Sequence, residues 1–374
     1  MRPLLPCLLC AALAFTAHAQ SPCPNPDLSS HPGAWKPRAG YVGPARFRAA
    51  PGSYNRAAAD ATLTKLLALL QAAYPEPRGG MAYFDKSFTF SSPDRELPFG
   101  YSLYVGHSGF SCTSANRLVE SVESGVFINV DVNTFLNTSM LSIVTAPEIS
   151  TSAGSVKLNA DEEGNYRIGG RIAYRVPAVV TRSADADRYS ITSRADRGGA
   201  PTEQYIVLRK NETPLFTYIT RREYLQQFRG ELETYKSREM EGARANAGTP
   251  GASNPEWQAR FAKGMDAYLR SVDAYLRSAP EAELSRPVSE LLSHFPIDLD
   301  NPQVRFRQDD FHLAHFNHTY LDKKLPLHIP QFIVIRWSVK DTPKSPAWEA
   351  NFREHIANRL DFAAIRALLT GSGR

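Results

Sequence analysis

Apolar positions along the chain change their period three times. Leu63, Leu66, Leu67 and Leu70 recur three and four residues apart, the spacing of one helix face, with Asn55 placed to cap the segment and Tyr74-Pro75-Glu76-Pro77 placed to end it. From 79 to 215 the period shortens to two. Runs rich in Val, Ile, Phe and Tyr at 82–90, 100–105, 125–132, 166–170, 172–180, 189–192 and 204–209 predict strands of a mostly antiparallel sheet, separated by turn formers such as Gly79-Gly80, Pro93-Asp94, Glu163-Gly164-Asn165 and Gly198-Gly199. Residues 133–161, rich in Ser and Thr and without a period, read as a loop region.

The helical period returns at Thr220-Arg221-Arg222-Glu223, where a hydroxyl and a carboxylate three residues on form a capping box and Ile219 and Tyr224 supply a hydrophobic staple. Tyr224, Leu225, Phe228, Leu232 and Tyr235 then share a stripe that ends in the Gly- and Ala-rich stretch 242–251. Asn254 caps a second helix with Pro255 at its first position, running through Trp257, Phe261, Met265, Tyr268, Leu269, Val272, Tyr275 and Leu276. Within it Asp266-Ala-Tyr-Leu-Arg-Ser271 recurs seven residues later as Asp273-Ala-Tyr-Leu-Arg-Ser278, which keeps one aromatic-leucine seam. Two helices joined by such a tip make an antiparallel hairpin. Residues 221–285 hold ten Lys and Arg against ten Asp and Glu, so the charges are expected to form solvated pairs within each helix. After the breaker Ser285-Arg286-Pro287 come a short helix at 289–293, strands near 304–307, 311–316 and 331–339, a helix started by Ser345 and Pro346, and a last short helix at 361–369.

The fold class expected from these periods is α+β: a mostly antiparallel sheet body from 80–215 and 300–340, with the helical hairpin inserted between its two parts. The segments are 1–19, a signal peptide; 20–54, a Pro-rich N-terminal arm; 55–219, a helix plus strand-rich body; 220–286, the hairpin; and 287–374, a C-terminal α+β part that completes the body. A chain of 374 residues with 43% hydrophobic and 22% charged residues is ordinary globular material, and its mean hydropathy of -0.34 does not suit a multi-span membrane protein.

Arg2, the apolar run 4–15 and Ala17-His18-Ala19 form a secretory signal pattern, too short to span a bilayer, so the mature chain is expected to be exported, periplasmic or extracellular, without a transmembrane segment. Cys7 and Cys10 lack the small preceding residue that lipid attachment requires. Removing Arg2 with the signal takes the formal charge from +5 to +4, and the basic residues are interspersed with acids, so no nucleic-acid stripe is seen. Two cysteines remain, Cys23 and Cys112. An even pair in an exported chain is the expected disulfide, tying the Pro-rich arm to the body, with two separate thiols as the alternative.

Two stretches carry a resemblance: Thr220-Arg-Arg-Glu-Tyr-Leu225, and Asn317-His-Thr-Tyr-Leu-Asp-Lys-Lys-Leu-Pro326 followed by Pro330-Gln-Phe-Ile-Val-Ile-Arg-Trp337 and Leu360-Asp-Phe362. Together, across most of the mature chain, they resemble an uncharacterised family of secreted bacterial proteins that shares a T-R-x-E-Y-L helix start and an N-x-x-Y-x-D-K-K-L-P turn. The resemblance implies secretion and a shared fold and no known reaction. The histidines around Asn317 depart from that pattern.

Those histidines are the densest candidate chemistry. His312, His315, His318 and His328 place four of the eight mature histidines within seventeen positions, preceded by Asp309-Asp310, a ligand set that suits zinc. Strand alternation would put His315 on the face opposite His312 and His318, and no H-E-x-x-H is present, so packed or surface histidines are the expected case. Gly106-His107-Ser108-Gly109 resembles a nucleophile elbow, but Phe110 stands where G-x-S-x-G needs its final glycine, and a Gly-rich turn between strands is expected. No phosphate-cradling or dinucleotide motif occurs, so no cofactor is implied. The aromatic seam of the hairpin reads as core packing before partner binding. The leading expectation is therefore a non-catalytic exported module binding a protein, glycan or other component of the cell envelope through its hairpin or a sheet face. The alternative is an exported hydrolase, metal-dependent through His312, His315 and His318 or serine-dependent through Ser108.

Overall fold

The computed structural model describes residues 23, 28–38, 54–90, 99–121, 126–135, 141–151, 154–191, 203–248, 254–289, 303–306, 311–338 and 347–369. The expected signal segment, the helix at 289–293 beyond its first residue, and Asp309 and Asp310 lie outside them. In chain order the elements are β1 (Trp35–Pro37), α1 (Arg56–Ala73), β2 (Gly80–Phe90), β3 (Gly100–Cys112), β4 (Leu118–Glu120), β5 (Val126–Val132), β6 (Ser142–Ile143), β7 (Glu148–Thr151), β8 (Gly154–Lys157), β9 (Arg167–Ile168), β10 (Arg171–Ile172) and β11 (Tyr174–Pro177). They continue with β12 (Val179–Arg182), β13 (Ala186–Ile191), β14 (Glu203–Arg209), β15 (Phe216–Tyr218), α2 (Arg221–Ala245), α3 (Pro255–Ser278), α4 (Glu281–Leu284), β16 (Phe311–Phe316), β17 (Phe332–Ser338), α5 (Ala347–Arg359) and α6 (Phe362–Arg366). The architecture is α+β with mostly antiparallel sheets.

Nine strands form the main sheet in the order β1-β2-β3-β5-β17-β14-β13-β12, with β4 paired to β3. Strands from both sides of the hairpin in sequence meet here, because β17 lies between β5 and β14. One face of this sheet carries Tyr101, Leu103, Val105, Ile128, Val130, Val132, Ile206, Leu208, Ile333 and Ile335 and is covered by α1, α5 and α6. Asn55 starts α1 by accepting the Ala58 N–H at 3.0 Å, and Leu63, Leu66, Leu67 and Leu70 turn into this core, each contributing roughly 2 kcal/mol of burial. On the opposite face, toward β17, β14 and β13, the four-stranded sheet β15-β16-β11-β6 packs Tyr174, Val176, Phe216 and Phe316, with Phe135 beyond the end of β5, against Tyr189, Tyr205, Val207, Phe332 and Val334.

A third core lies under the hairpin: Tyr224, Leu225, Phe228 and Leu232 of α2 and Phe261, Met265, Tyr268 and Val272 of α3 pack with Tyr166, Ile168 and Leu313 of the body. The helices run antiparallel, as the ring contacts Phe228–Tyr268 and Tyr235–Phe261 require. Their charges pair across the hairpin rather than along each helix: Arg229 reaches Asp273 at 2.7 Å, Lys236 reaches Asp266 at 2.6 Å, and Arg222 reaches Glu281 on α4. Neighbouring antiparallel helices bring these side chains closer than the single i, i+4 pair Arg229–Glu233 could.

The disulfide between Cys23 and Cys112 is present, with Cα atoms 5.9 Å apart, and it ties the N-terminal arm to the end of β3. That arm is not without regular structure, since Trp35–Pro37 adds a parallel edge strand to β2. The stretch 133–161 is not one loop either. It holds β6, β7 and β8, each too short for an alternating signal to register. Residues 303–306 form no strand. The N-x-x-Y-x-D-K-K-L-P turn closes around Gln331: the Tyr320 hydroxyl donates to the Gln331 carbonyl at 2.9 Å, and the Gln331 amide binds both the Asp322 N–H and the Asp322 carbonyl. Asn133, at φ +57, accepts the Gln331 N–H at 2.7 Å and so joins this turn to the end of β5.

One ion pair is fully buried. Arg209 of β14 sits 3.3 Å from Asp187 of β13, donates to the carbonyls of Asn211 and Thr213 at 3.1 Å each and to that of Ser183, and its own carbonyl accepts from Arg366 of α6. Asp187 keeps a second partner, Arg182, whose Nε donates to it at 2.9 Å, so removing Arg209 chiefly strips the Ser183, Asn211 and Thr213 carbonyls of their buried donor. Arg209→Met is therefore expected to cost about 1–3 kcal/mol, read as a lowered urea midpoint with an unchanged slope.

Candidate functional site

The main-sheet face that no described helix covers carries a strip of planar side chains across four strands. Directly opposed residues share a face, so Asp85, Tyr104, Asn129, Arg336 and Tyr205 form one row from β2 to β14. Phe127, two residues before Asn129, stacks on Tyr104 with ring centroids 6.2 Å apart and planes 21° apart. The Arg336 guanidinium lies 4.7 Å from the Phe127 centroid and 6.0 Å from that of Tyr205, and Arg38 lies 5.7 Å from the Tyr104 centroid. The result is an Arg38–Tyr104–Phe127–Arg336–Tyr205 ladder. Glu203 fixes its inner end, accepting from Arg336 Nε at 3.1 Å and from the Tyr205 hydroxyl.

Planar groups stacked along a strip and standing off a sheet turn their edges outward. Ring edges are the positive side of the aromatic quadrupole, and a guanidinium edge carries N–H donors. Arg38 is exposed, Tyr104, Phe127 and Arg336 are half-buried, and Tyr205 at the inner end is fully buried under the second sheet, so only the outer part of the ladder meets solvent. Burial pushes the Asp85 carboxyl up from its ordinary value, against the pull of the Lys86 backbone and of Arg38. Asn129, Ser102 and Asp131 on the same face are buried at its floor. The strip therefore combines donors, acceptors and ring edges, the chemistry of hydrogen-bonded recognition.

Gly106-His107-Ser108-Gly109 is not a turn. All four residues lie inside β3, so His107 and Ser108 point to opposite faces of the sheet and form no nucleophile-base pair. Gly109 of the motif, together with Gly79 on the neighbouring turn, makes room for α5: a Cβ at Gly109 would come 2.3 Å from the Trp348 ring, and one at Gly79, whose φ is +72, would come 2.5 Å from Trp348 Cβ. His107 stacks on Trp348 at 4.8 Å and contacts Phe352 at 5.4 Å and Tyr74 at 6.0 Å. Ser108 is buried on the other face. What resembles an elbow is the seat of a tryptophan.

The histidines 312–318 separate as well. His312 and His315 fall on opposite faces of β16, and the strand ends at Phe316, so His318 opens a 3-10 turn instead of sharing the His312 face. His312 Nδ1 lies 3.4 Å from Ser289 Oγ, His315 is buried between the Ile172 carbonyl and Glu223, and His318 packs its ring on Phe316. His328 offers its carbonyl to the Tyr101 hydroxyl at 2.8 Å. Among the described residues no three His, Cys, Asp or Glu side chains gather closely enough to hold a metal ion.

The sequence points to the hairpin or a sheet face as a binding surface without choosing between them or locating this strip. Its residues lie far apart in the chain, and only the β3-β5-β17-β14 order brings them together. Their common signal is an aromatic or arginine at the polar phase of each alternating strand. No protein-family model matches the chain, and comparisons with curated proteins and with solved structures return no match.

Burial lowers the His107 imidazole from 6.5 to about 4. A folded-state value below the unfolded one means that the stability it contributes is fully present above pH 6.5 and is lost as pH falls toward 4. The loss amounts to about 3 kcal/mol at its limit, since each tenfold change in proton affinity is worth about 1.4 kcal/mol. His107→Leu is expected to flatten stability between pH 7 and 4 relative to the parent, as measured by urea unfolding at a series of pH values.

Proposed function

We propose that the protein is an exported, non-catalytic binding module that takes a glycan of the cell envelope on the main-sheet face opposite α1, α5 and α6, at the β1–β5 end of the ladder. The observation that carries this reading is the Arg38–Tyr104–Phe127–Arg336–Tyr205 ladder beside Asp85 and Asn129. Glu203 holds Arg336 through both Nε and Nη2, which fixes the inner guanidinium, and the Asp85 carboxylate and Arg38 guanidinium at the outer end each carry two adjacent polar atoms, the spacing that vicinal hydroxyls of a sugar ring satisfy. Ring edges beside them cover the C–H patches of a sugar. Carboxylates at Asp85, Asp131 and Glu203 offset the two arginines, which favours a neutral polyhydroxyl ligand over an anionic one.

A glycan suits the surface better than a protein partner does. The two exposed large apolar side chains among the described residues, Val180 and Trp257, sit on separate elements, β12 and α3. A protein interface of standard size centres on a cluster of such groups. Export is supported by the signal pattern at residues 1–19 and by the Cys23–Cys112 bond, which persists in an oxidising compartment.

The test is retention of the mature chain, residues 20–374, on insoluble cell-wall glycan and its competition by soluble N-acetylated oligosaccharides. Tyr104→Ala with Phe127→Ala is expected to weaken retention at least tenfold while far-ultraviolet circular dichroism stays that of the parent, and His312→Ala with His318→Ala to leave it unchanged. Equal retention by the ladder variant, or retention abolished by protease treatment of the wall, would overturn the glycan reading.

A further inference from the structure

We propose that the exposed face of α3 is a docking surface for a bilayer that displays anionic phospholipid headgroups. The even charge count of the hairpin hides this face, because its acids and cations are not spread evenly around the helices. Asp266 accepts from Lys236 at 2.6 Å and Asp273 from Arg229 at 2.7 Å, so two of the three acids of α3 are spent on cations of α2. Beyond the end of α3, Glu281 takes Arg222, and Glu283 takes Arg221 and Arg286.

The cations of α3 go the other way. Arg260, Lys263, Arg270 and Arg277 are all its lysines and arginines, all four are exposed, and none has an ion-pair partner among the described residues. Lys263, Arg270 and Arg277 stand seven residues apart, so each is turned only about 20° from the one before it. Arg260 precedes Lys263 by three residues and joins the same side. At about 100° per residue this line lies roughly half a turn from the buried Phe261, Met265, Tyr268 and Val272. The D-A-Y-L-R-S repeat is what builds it: one copy after the other turns a tyrosine inward and an arginine outward. From Arg260 to Arg277 the line runs about 25 Å.

Nearby acids do not neutralise it. Glu256, the third acid of α3, stands in the first turn, where the helix dipole favours a carboxylate. On α2 the exposed Glu233 is held by Arg229, and Glu241 is flanked in sequence by Arg238 and Arg244. Ala259, Ala267 and Ala274 fill the space between the cations, so the face has no wall or carboxylate to orient a small ligand. It also lacks the apolar anchors of a protein interface, since the exposed Trp257 stacks on Phe261, toward the core side of the helix. A single-stranded polyanion would need ring platforms beside the cations. A bilayer needs none of these: its headgroups lie in a plane, rearrange laterally to meet a straight line of free cations, and gain about fivefold in affinity for each lysine or arginine brought to the surface. This face is separate from the Arg38–Tyr205 ladder and does not depend on the glycan reading.

The test is co-sedimentation of the mature chain, residues 20–374, with vesicles of phosphatidylcholine alone or with one lipid in four replaced by phosphatidylglycerol, in about 0.05 M and about 0.5 M salt. The parent is expected to bind the anionic vesicles at least tenfold more tightly than the neutral ones at low salt, and to lose that preference at high salt. Lys263→Gln with Arg270→Gln and Arg277→Gln is expected to weaken anionic binding on the order of a hundredfold, and Arg270→Gln alone about fivefold, with the circular dichroism of the parent. Lys65→Gln with Arg117→Gln and Arg359→Gln, an equal change of net charge at scattered exposed positions, is expected to stay within about threefold of the parent. Equal binding to both kinds of vesicle, or an equal loss in the two triple variants, would overturn the proposal. So would binding to soluble polyglutamate without binding to vesicles, which would assign the line to an acidic protein.

Discussion

The cover over the two faces of β3, β5, β17 and β14 governs the rest of the molecule. A sheet whose strands are apolar at every second position must bury that face, and α1, α5 and α6 do so from opposite ends of the chain. The other face is shared. Toward β14 and β13 it is closed by the second sheet, and toward β2 and β3 it keeps polar and aromatic side chains that satisfy one another in a ladder. Because β17 is inserted between β5 and β14, the two faces cannot form until the segment after the hairpin has returned. The long excursion through α2 and α3 is held in place by the core it shares with Tyr166, Ile168 and Leu313 of the body and by the hydrogen bonds of Glu231 to Tyr166 and of Gln227 to Gly169.

Local signals in the sequence were legible where one element satisfied itself. Asn55, Thr220, Asn254 and Asp361 cap helices, and the aromatic-leucine repeat of α3 forms the seam against α2. The Cys23–Cys112 bond was expected from the even number of cysteines left outside the signal pattern, and it is present. What was not legible depended on neighbours. Gly106-His107-Ser108-Gly109 carries two glycines and reads as a turn, yet β3 runs straight through it, and Trp348, some 240 positions on, takes the space that Gly109 leaves. The strands in 133–161 are two to four residues long and are stabilised by partners such as β11, not by their own pattern.

The candidate chemistry shows the same division. A cluster of histidines in sequence becomes three separate environments once β16 alternates and ends at Phe316. His312 contacts Ser289, His315 is buried between the Ile172 carbonyl and Glu223 of α2, and His318 lies against the Phe316 ring. The ladder has the opposite history. Arg38, Tyr104, Phe127, Arg336 and Tyr205 have no motif in common and are assembled only by register. Residues close in sequence were spent on packing, and the recognition surface was built from residues far apart.

In the proposed function this ladder, and not the His312–His318 or His107-Ser108 segments, receives the ligand. The most direct measurement is a nuclear magnetic resonance titration of the labelled mature chain with a soluble N-acetylated oligosaccharide. Saturable shifts centred on Tyr104, Phe127, Asn129 and Arg336 are the expected result. Shifts centred on His312, His315 and His318, or on Ser108, would contradict it.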